Sequence, residues 1–414
     1  MKKALLLSVV ASTMIMAGGD IAPVEPVAEP APAPVAETSG WDFGGKGVVY
    51  YQTDDLNGIS SRGVTAAKSA TLFSQGASAA DAGIQLRATN KDMLAGIGAG
   101  VELSGLATLG LEDKVVSDVM QAAGSAAGSL NDQIHGGWVS QAYLTYGLAD
   151  TSLKIGRQTL PKSLSPFAYS EDWNVMHNTF DAALVVNSSL PDTTLVGAWV
   201  RAFNKNGMHA DMSTFAKPNG NRGIWMLTAQ NKSISNLTLT GSYYYASKML
   251  PGSKNFTILW GDAAYNAGAF SIAVQGGSID DNANKPSAFG AKVSGSIMGV
   301  NAMAAYSKTK NGTVSNVGGA TSALYTETAS NQVGVRNDEA KYVIGANMGA
   351  LGGTIIAAYA YTSNNTKTAK DNELNLVYTT TVADSVNLTA AYVYLNGDTF
   401  NKNNLIRVVG SYKF

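Results

Sequence analysis

The chain has 414 residues, 45% of them hydrophobic and only 14% charged, with a formal net charge of -1. A charged share well below the usual ~25% is a thin coat for a soluble enzyme, and near-neutrality argues against a protein that neutralises nucleic-acid phosphates. There is no Cys, which excludes disulfides, a thiolate nucleophile and Cys-ligated metal, and His135, His177 and His209 lack metal-ligand spacing. No metal or cofactor is expected.

Lys2 and Lys3 precede an uncharged apolar run from Ala4 to Met16, and Ala17-Gly18-Gly19 follows. This is the layout of a secretory signal over residues 1–19, too short for a membrane span of ~20 residues. Cleavage is expected before Asp20, with cleavage after Ala17 as the alternative. Residues 20–43 carry Pro23, Pro26, Pro30, Pro32 and Pro34 among Glu25, Glu29 and Glu37. Such a stretch is extended and does not pack, so it is expected to be a periplasmic linker.

From residue 44 onward the apolar stretches are short and broken at every second position. Ile84, Leu86 and Ala88 alternate with Gln85, Arg87 and Thr89; Phe289, Ala291 and Val293 alternate with Lys292 and Ser294. Period two marks strands with two unlike faces. Segments of this kind lie near 45–52, 83–90, 97–109, 137–147, 151–158, 181–189, 193–203, 223–230 and 237–246. Further ones lie near 256–266, 269–277, 289–297, 300–307, 342–350, 353–361, 372–380, 386–395 and 405–414. Their connections alternate between tight turns, such as Met298-Gly299 and Leu351-Gly352, and long loops, such as 159–180 and 308–341. The pattern predicts an all-β protein: a transmembrane antiparallel barrel of eighteen strands, with sixteen as the alternative, short periplasmic turns and long external loops. In hydrocarbon every backbone N–H and C=O needs a partner, so a sheet crosses only as a closed cylinder.

Residues 138–203 contain the strand–turn–strand Ala142-Tyr143-Leu144 to Thr151-Ser152-Leu153-Lys154, then Gly156-Arg157-Gln158, a Pro-containing loop, and Phe180 to Val186. This stretch resembles the OprD-like porins, including the major outer-membrane porins of epsilon-class proteobacteria. The resemblance implies an 18-stranded barrel, often trimeric, passing small hydrophilic solutes, with the third external loop folded into the bore. That loop is 159–180 here, and its charged members Lys162, Glu171 and Asp172 become candidates for the constriction. The last strand, LIRVVGSYKF, places Ile406, Val408, Tyr412 and Phe414 on one face. It resembles the tag read by the bacterial barrel-assembly machinery.

If the apolar face meets lipid, strand parity turns Arg87, Glu102, Lys154, Arg201, Asp262, Lys292, Glu373 and Arg407 toward the lumen. Arg157 shares parity with Leu153 and Ile155; the resemblance turns it inward. Substrate-specific relatives carry a ladder of basic residues on one wall, whereas Lys154, Arg201, Lys292, Arg407, Arg87 and Lys413 are widely spaced in this sequence. Tyr50, Tyr51, Tyr143, Tyr146, Tyr243, Tyr245, Tyr265, Tyr306, Tyr359, Tyr361, Tyr392 and Tyr394 are candidates for interfacial girdles.

The expected function is an outer-membrane porin of a Gram-negative bacterium, giving passive diffusion of ions and small hydrophilic solutes. Its expected partners are outer-membrane lipids, the assembly machinery and two further copies of itself, with no nucleic acid. An adhesin or structural barrel is the alternative, through display of the Ser/Thr/Asn-rich loop 308–341. An enzyme is not expected: the three His fall in predicted loops and no Ser sits on a nucleophile elbow. Gly96-x-Gly98-x-Gly100 lacks dinucleotide-binding spacing, and Asp280-Asp281-Asn282 reads as a solvated loop rather than a Ca²⁺ site.

Overall fold

The structure, a computed structural model, describes residues 40–55, 71–124, 136–250, 254–281, 284–329, 337–364, 369–383, 385–398 and 402–414. The signal segment and linker residues 20–39 lie outside them. Eighteen long strands form the wall. The first six are β1 (Asp42–Asp54), β2 (Ser78–Leu94), β3 (Ile97–Ala107), β4 (Gly136–Leu148), β5 (Thr151–Gln158) and β6 (Phe180–Asn187). The next six are β7 (Thr193–Phe203), β8 (Ile224–Asn231), β9 (Leu237–Leu250), β10 (Lys254–Asn266), β11 (Phe270–Asp280) and β12 (Ser287–Ile297). The last six are β13 (Val300–Lys310), β14 (Glu339–Ala350), β15 (Gly353–Asn364), β16 (Lys370–Val382), β17 (Val386–Gly397) and β18 (Asn403–Lys413). All eighteen coincide with the expected segments.

Each strand pairs antiparallel with the next, and β18 returns to β1 in a register running from Lys46–Lys413 to Asp54–Leu405. The 18-stranded sheet is therefore closed and has no free edge. Short turns of two to five residues join strands at one end. Met298 and Gly299 both have positive φ, 50° and 81°. This is the primed turn that matches strand twist, and Gly takes its second position without a Cβ penalty.

The outer face is a belt of large apolar side chains: Ile84, Leu86, Leu144, Ile272, Val274, Phe289, Val293 and Ile344 are all exposed. A belt this broad needs hydrocarbon, not water, as its neighbour. On the final strand, Val408 and Tyr412 are exposed and Arg407 is buried, as alternation requires. Outward aromatics fall into two bands. Tyr306, Tyr342 and Tyr361 lie near the long-loop end, while Tyr265, Phe270 and Tyr412 lie near the short-turn end. Tyr50 and Tyr143, expected in the girdles, are inside: Tyr50 is buried, and Tyr143 lies beneath the Lys154 ammonium.

The wall departs from expectation on β7. Val196, Ala198 and Val200 are buried and share one core cluster with Leu160, Leu164 and Phe167 of the third loop. They face inward. Trp199 meets the exposed Trp225, which puts that ring on the outside; Arg201 is the residue the register skips between Val200 and Ala202, so alternation does not set its facing. A β-bulge between Asp181 and Ala182 accompanies this part of the sheet.

At the β1–β18 seam, the Gly45 N–H donates to the Phe414 carbonyl at 2.8 Å and the Phe414 N–H donates back at 3.1 Å. A Cβ on Gly45 would lie 2.3 Å from Phe414 Cζ and 2.7 Å from the Gln85 carbonyl oxygen, whereas one on Gly47 meets nothing within 4 Å. Gly45→Val should therefore weaken the seam by about 1–3 kcal/mol, and Gly47→Ala should not. Loss of the compact, heat-resistant band at a lower temperature in detergent electrophoresis would show the difference.

Candidate functional site

The third loop, between β5 and β6, runs inside the barrel. Phe167 lies edge-on to Tyr244 of β9 and Trp260 of β10, with ring centroids 5.8 and 5.1 Å away, and its N–H donates to Tyr244 Oη at 3.2 Å. On the other side Val175 and Met176 join a buried cluster with Val48, Tyr50 and Leu106 from β1 and β3. The wall is shaped for them: a Cβ on Gly83 would fall 2.2 Å from Met176 Cε and 2.9 Å from Val175 Cγ1.

Three other external loops support this one. The Gln121 side chain donates to the Met176 carbonyl and Asn206 Oδ1, both at 2.9 Å, and accepts from the Met176 N–H at 2.7 Å. Residues 121–122 and 210–211 pair as a short parallel bridge, and His209 lies 2.9 Å from Asp118. The described part of the loop after β13, residues 311–329, also packs inward. Leu324 joins the Phe167 cluster, Tyr325 bonds Asp262, and Thr328 donates to Glu373 at 2.8 Å.

Glu171 joins the two loops. Its carboxylate accepts from Trp173 Nε1 (2.8 Å), Asn316 Nδ2 (2.8 Å), the N–H groups of Ala320 and Thr321 (3.0 Å each) and Thr321 Oγ1 (2.5 Å). It is buried. A carboxylate in low dielectric needs such a donor set, and this one is consumed in holding loops together. Glu171 is therefore not a lining charge, in contrast to the expectation from its place in the loop.

The remaining sequence candidates divide into two groups. Those covered by loops are Glu373, with Thr328, and Arg407, which donates to Gln52 Oε1 at 3.0 and 3.1 Å and lies over the rings of Tyr50 and Trp173. Both face inward, yet both are buried. Asp262 and Lys292 meet at Tyr325, with Lys292 Nζ 4.8 Å from its ring. Lys162 lies 5.1 Å from the Tyr169 ring.

The second group lines the short-turn half of the lumen. Arg87 is exposed there, opposite Glu102 in the β2–β3 register. Lys154 Nζ sits 3.8 Å over Tyr143. Lys413 pairs with Lys46, and Lys46 pairs with Gln85 on the next strand. Barrel closure thus gathers Lys413, Lys46 and Arg87 on three consecutive strands, although their numbers span the chain. Lys46 was missed by sequence reasoning; only its shared parity with Tyr50 on a weakly patterned strand marks it.

Beside this basic row, His177 bridges two carboxylates, 3.4 Å from Glu102 through Nε2 and 3.4 Å from Asp172 through Nδ1. Glu102 also accepts from Ser140 Oγ at 2.8 Å and Gln85 Nε2 at 3.2 Å. Burial works against the His177 cation, but the two carboxylates outweigh it and raise its pKa to about 9. Burial likewise opposes charge on Asp172, and His177 with Lys46 and Lys413 reverses this, holding Asp172 down to about 2.

Arg157 is not a lining group. It alternates with the exposed Ile155, and it is held by Asp181 (Nε–Oδ1 2.8 Å), the Val139 carbonyl (2.8 Å) and the Phe215 ring (3.4 Å). Parity places it on the outer face near the loop end, where its charge is neutralised rather than offered to solute.

No family model matches the sequence, and no curated protein matches it. Solved structures do. Pseudomonas aeruginosa OccK8 (OprE) aligns at 15% identity over 90% of this chain and 98% of its own, with a TM-score of 0.66. Acinetobacter baumannii OccAB3 aligns at 12% identity over 90% and 99%, TM-score 0.67. Pseudomonas aeruginosa OpdK with vanillate aligns at 14% identity over 90% and 98%, TM-score 0.67.

Two outcomes follow from the site. Glu171→Ala strands several buried donors, a cost of at least about 3 kcal/mol at ~1–3 each; it should release the third loop, seen as faster tryptic cleavage after Lys162. For His177 the folded pKa lies above the unfolded value of ~6.5. Its stabilising bridge is complete below that value and is lost as pH rises through about 9. Thermal unfolding in detergent should therefore move to lower temperature between pH 7 and 10, and His177→Gln should flatten that dependence. At these identities the likeness to solved structures is one of architecture, and in architecture this chain is an eighteen-stranded barrel of the Occ/OprD porin fold.

Proposed function

We propose that the protein is an outer-membrane porin that passes ions and small hydrophilic solutes by passive diffusion. The observation that carries this is the closed barrel with an apolar exterior and a charged lower lumen under inward-folded loops. The wall supplies no energy. The loops set a size limit, and the opposed charges set a field across the path. Its positive charges are Lys46, Arg87, Lys154 and Lys413 on the wall; its negative charges are Glu102, beside Arg87 on the neighbouring strand, and Asp172 in the third loop, with the His177 cation between those two carboxylates. Gathered on neighbouring strands, the basic row favours small anions over cations of equal size. The OpdK structure was determined with vanillate, which carries a carboxylate, and small organic carboxylates are the solute class we propose here.

Export by residues 1–19, insertion through the strand ending in Phe414, and assembly as a homotrimer complete the proposal. The adhesin alternative relied on display of loop 308–341, and the packing of residues 311–329 against the inner wall removes its main support.

Purified protein in a planar bilayer should give discrete, long-lived conductance steps; a membrane that stays sealed would favour a structural role. Under a salt gradient the reversal potential should show anion preference, and Lys46→Glu with Arg87→Glu should reverse its sign. A zero reversal potential in the wild type would remove the charged filter.

A further inference from the structure

The outer face carries two features that the bore does not use. The first is aromatic. Tyr306, Tyr342 and Tyr361 are register partners on β13, β14 and β15, with ring centroids 5.0 and 6.3 Å apart. Trp199 and Trp225 form a second pair at 6.4 Å on β7 and β8. Such rings settle at the boundary between acyl chains and headgroups.

The second feature is charge. Lys308 and Lys310 follow Tyr306 on the same face of β13, and each step of two residues adds ~6.6 Å along the strand. Both ammonium groups thus ride above ring level, at headgroup depth. Lys285 precedes Ser287, the register partner of Lys310. Lys248 lies beside the connection between β9 and β10, whereas Lys254 shares the parity of the inward Phe256 and Ile258 and is not part of this outer row. Arg222 sits over the tryptophan pair, its carbonyl accepting from Trp199 Nε1 at 2.8 Å. All five side chains of the outer row are exposed. The acids beside them are fewer: Asp280, and Asp281, which accepts from the backbone of Asn284 and Lys285. Asp338 also lies at this rim, accepting from the Asn311 N–H at 2.9 Å, and farther round Asp398 accepts from the Lys370 N–H at 2.8 Å.

We propose that the rim from β7 to β13 is a binding surface for the phosphate groups of outer-leaflet lipid. The aromatic rings fix the depth, and the flexible lysines reach the phosphates above them. The inference rests on the outer-membrane reading, because only a membrane brings a sheet of phosphates to this height. A lysine close to an anionic lipid surface contributes roughly fivefold in affinity, so three together amount to about a hundredfold.

The test uses the purified full chain in neutral detergent, titrated with bisphosphorylated lipid A, with its dephosphorylated form and with inorganic phosphate, bound lipid being counted by native mass spectrometry. The wild type should retain bisphosphorylated lipid A and not the dephosphorylated form. K285A/K308A/K310A should bind about a hundredfold more weakly, K285R/K308R/K310R should bind as the wild type does, and K370A/K402A should be unaffected. Undiminished binding by the alanine variant, or equal retention of dephosphorylated lipid, would overturn the proposal. Displacement by inorganic phosphate at matching concentration would also overturn it, by marking a free-anion site. Planar-bilayer conductance of the same samples separates the two readings. Wild-type conductance in an alanine variant that has lost lipid confirms a rim function independent of the bore. A wild type that binds lipid without conducting would sink the porin reading and leave the lipid surface standing.

Discussion

The need to pair every backbone N–H and C=O inside hydrocarbon governs this molecule. It forces the sheet to close, and closure has consequences well beyond stability. It places β18 beside β1, so that Lys413 meets Lys46, and β2 follows with Arg87. The electrostatics of the lower lumen are therefore a product of topology. A sheet with an open edge and the same sequence would scatter these charges at opposite margins.

Closure also leaves an interior too wide for wall side chains to fill. The external loops fill its upper half. They do so by ordinary protein packing, with Phe167 against Tyr244 and Trp260, and by one fully satisfied buried carboxylate, Glu171. The bore thus has two regimes. Near the loops it is a folded core in which Arg407 and Glu373 serve structure; near the turns it is a polar surface that holds Arg87 and Lys154.

This division explains what the sequence made legible. All eighteen strands were readable, because a wall between lipid and lumen imposes period two and tight turns punctuate it. Facing was readable where polar side chains line the inner wall, as at Gln85 and Arg87 or Ser294 and Lys292. It failed on β7, where Val196, Ala198 and Val200 look apolar because their inner neighbour is an apolar loop rather than water. The rule that apolar means lipid has no purchase there. Glu171 misled for a related reason: its partners Asn316 and Thr321 lie ~150 residues away, and no local pattern announces them. Arg157 shows the converse, since plain alternation placed it outside and the family resemblance drew it in.

Gly83 carries an implication for how barrels of this fold diverge. The notch it leaves receives Val175 and Met176, so the free cross-section of the interior is partly set by a backbone position that bears no charge. Calibre and polarity are thereby written at different addresses. Trading hydrogen for methyl behind the loop would move the third loop and change the width of the interior, while the charges on the wall are inherited intact.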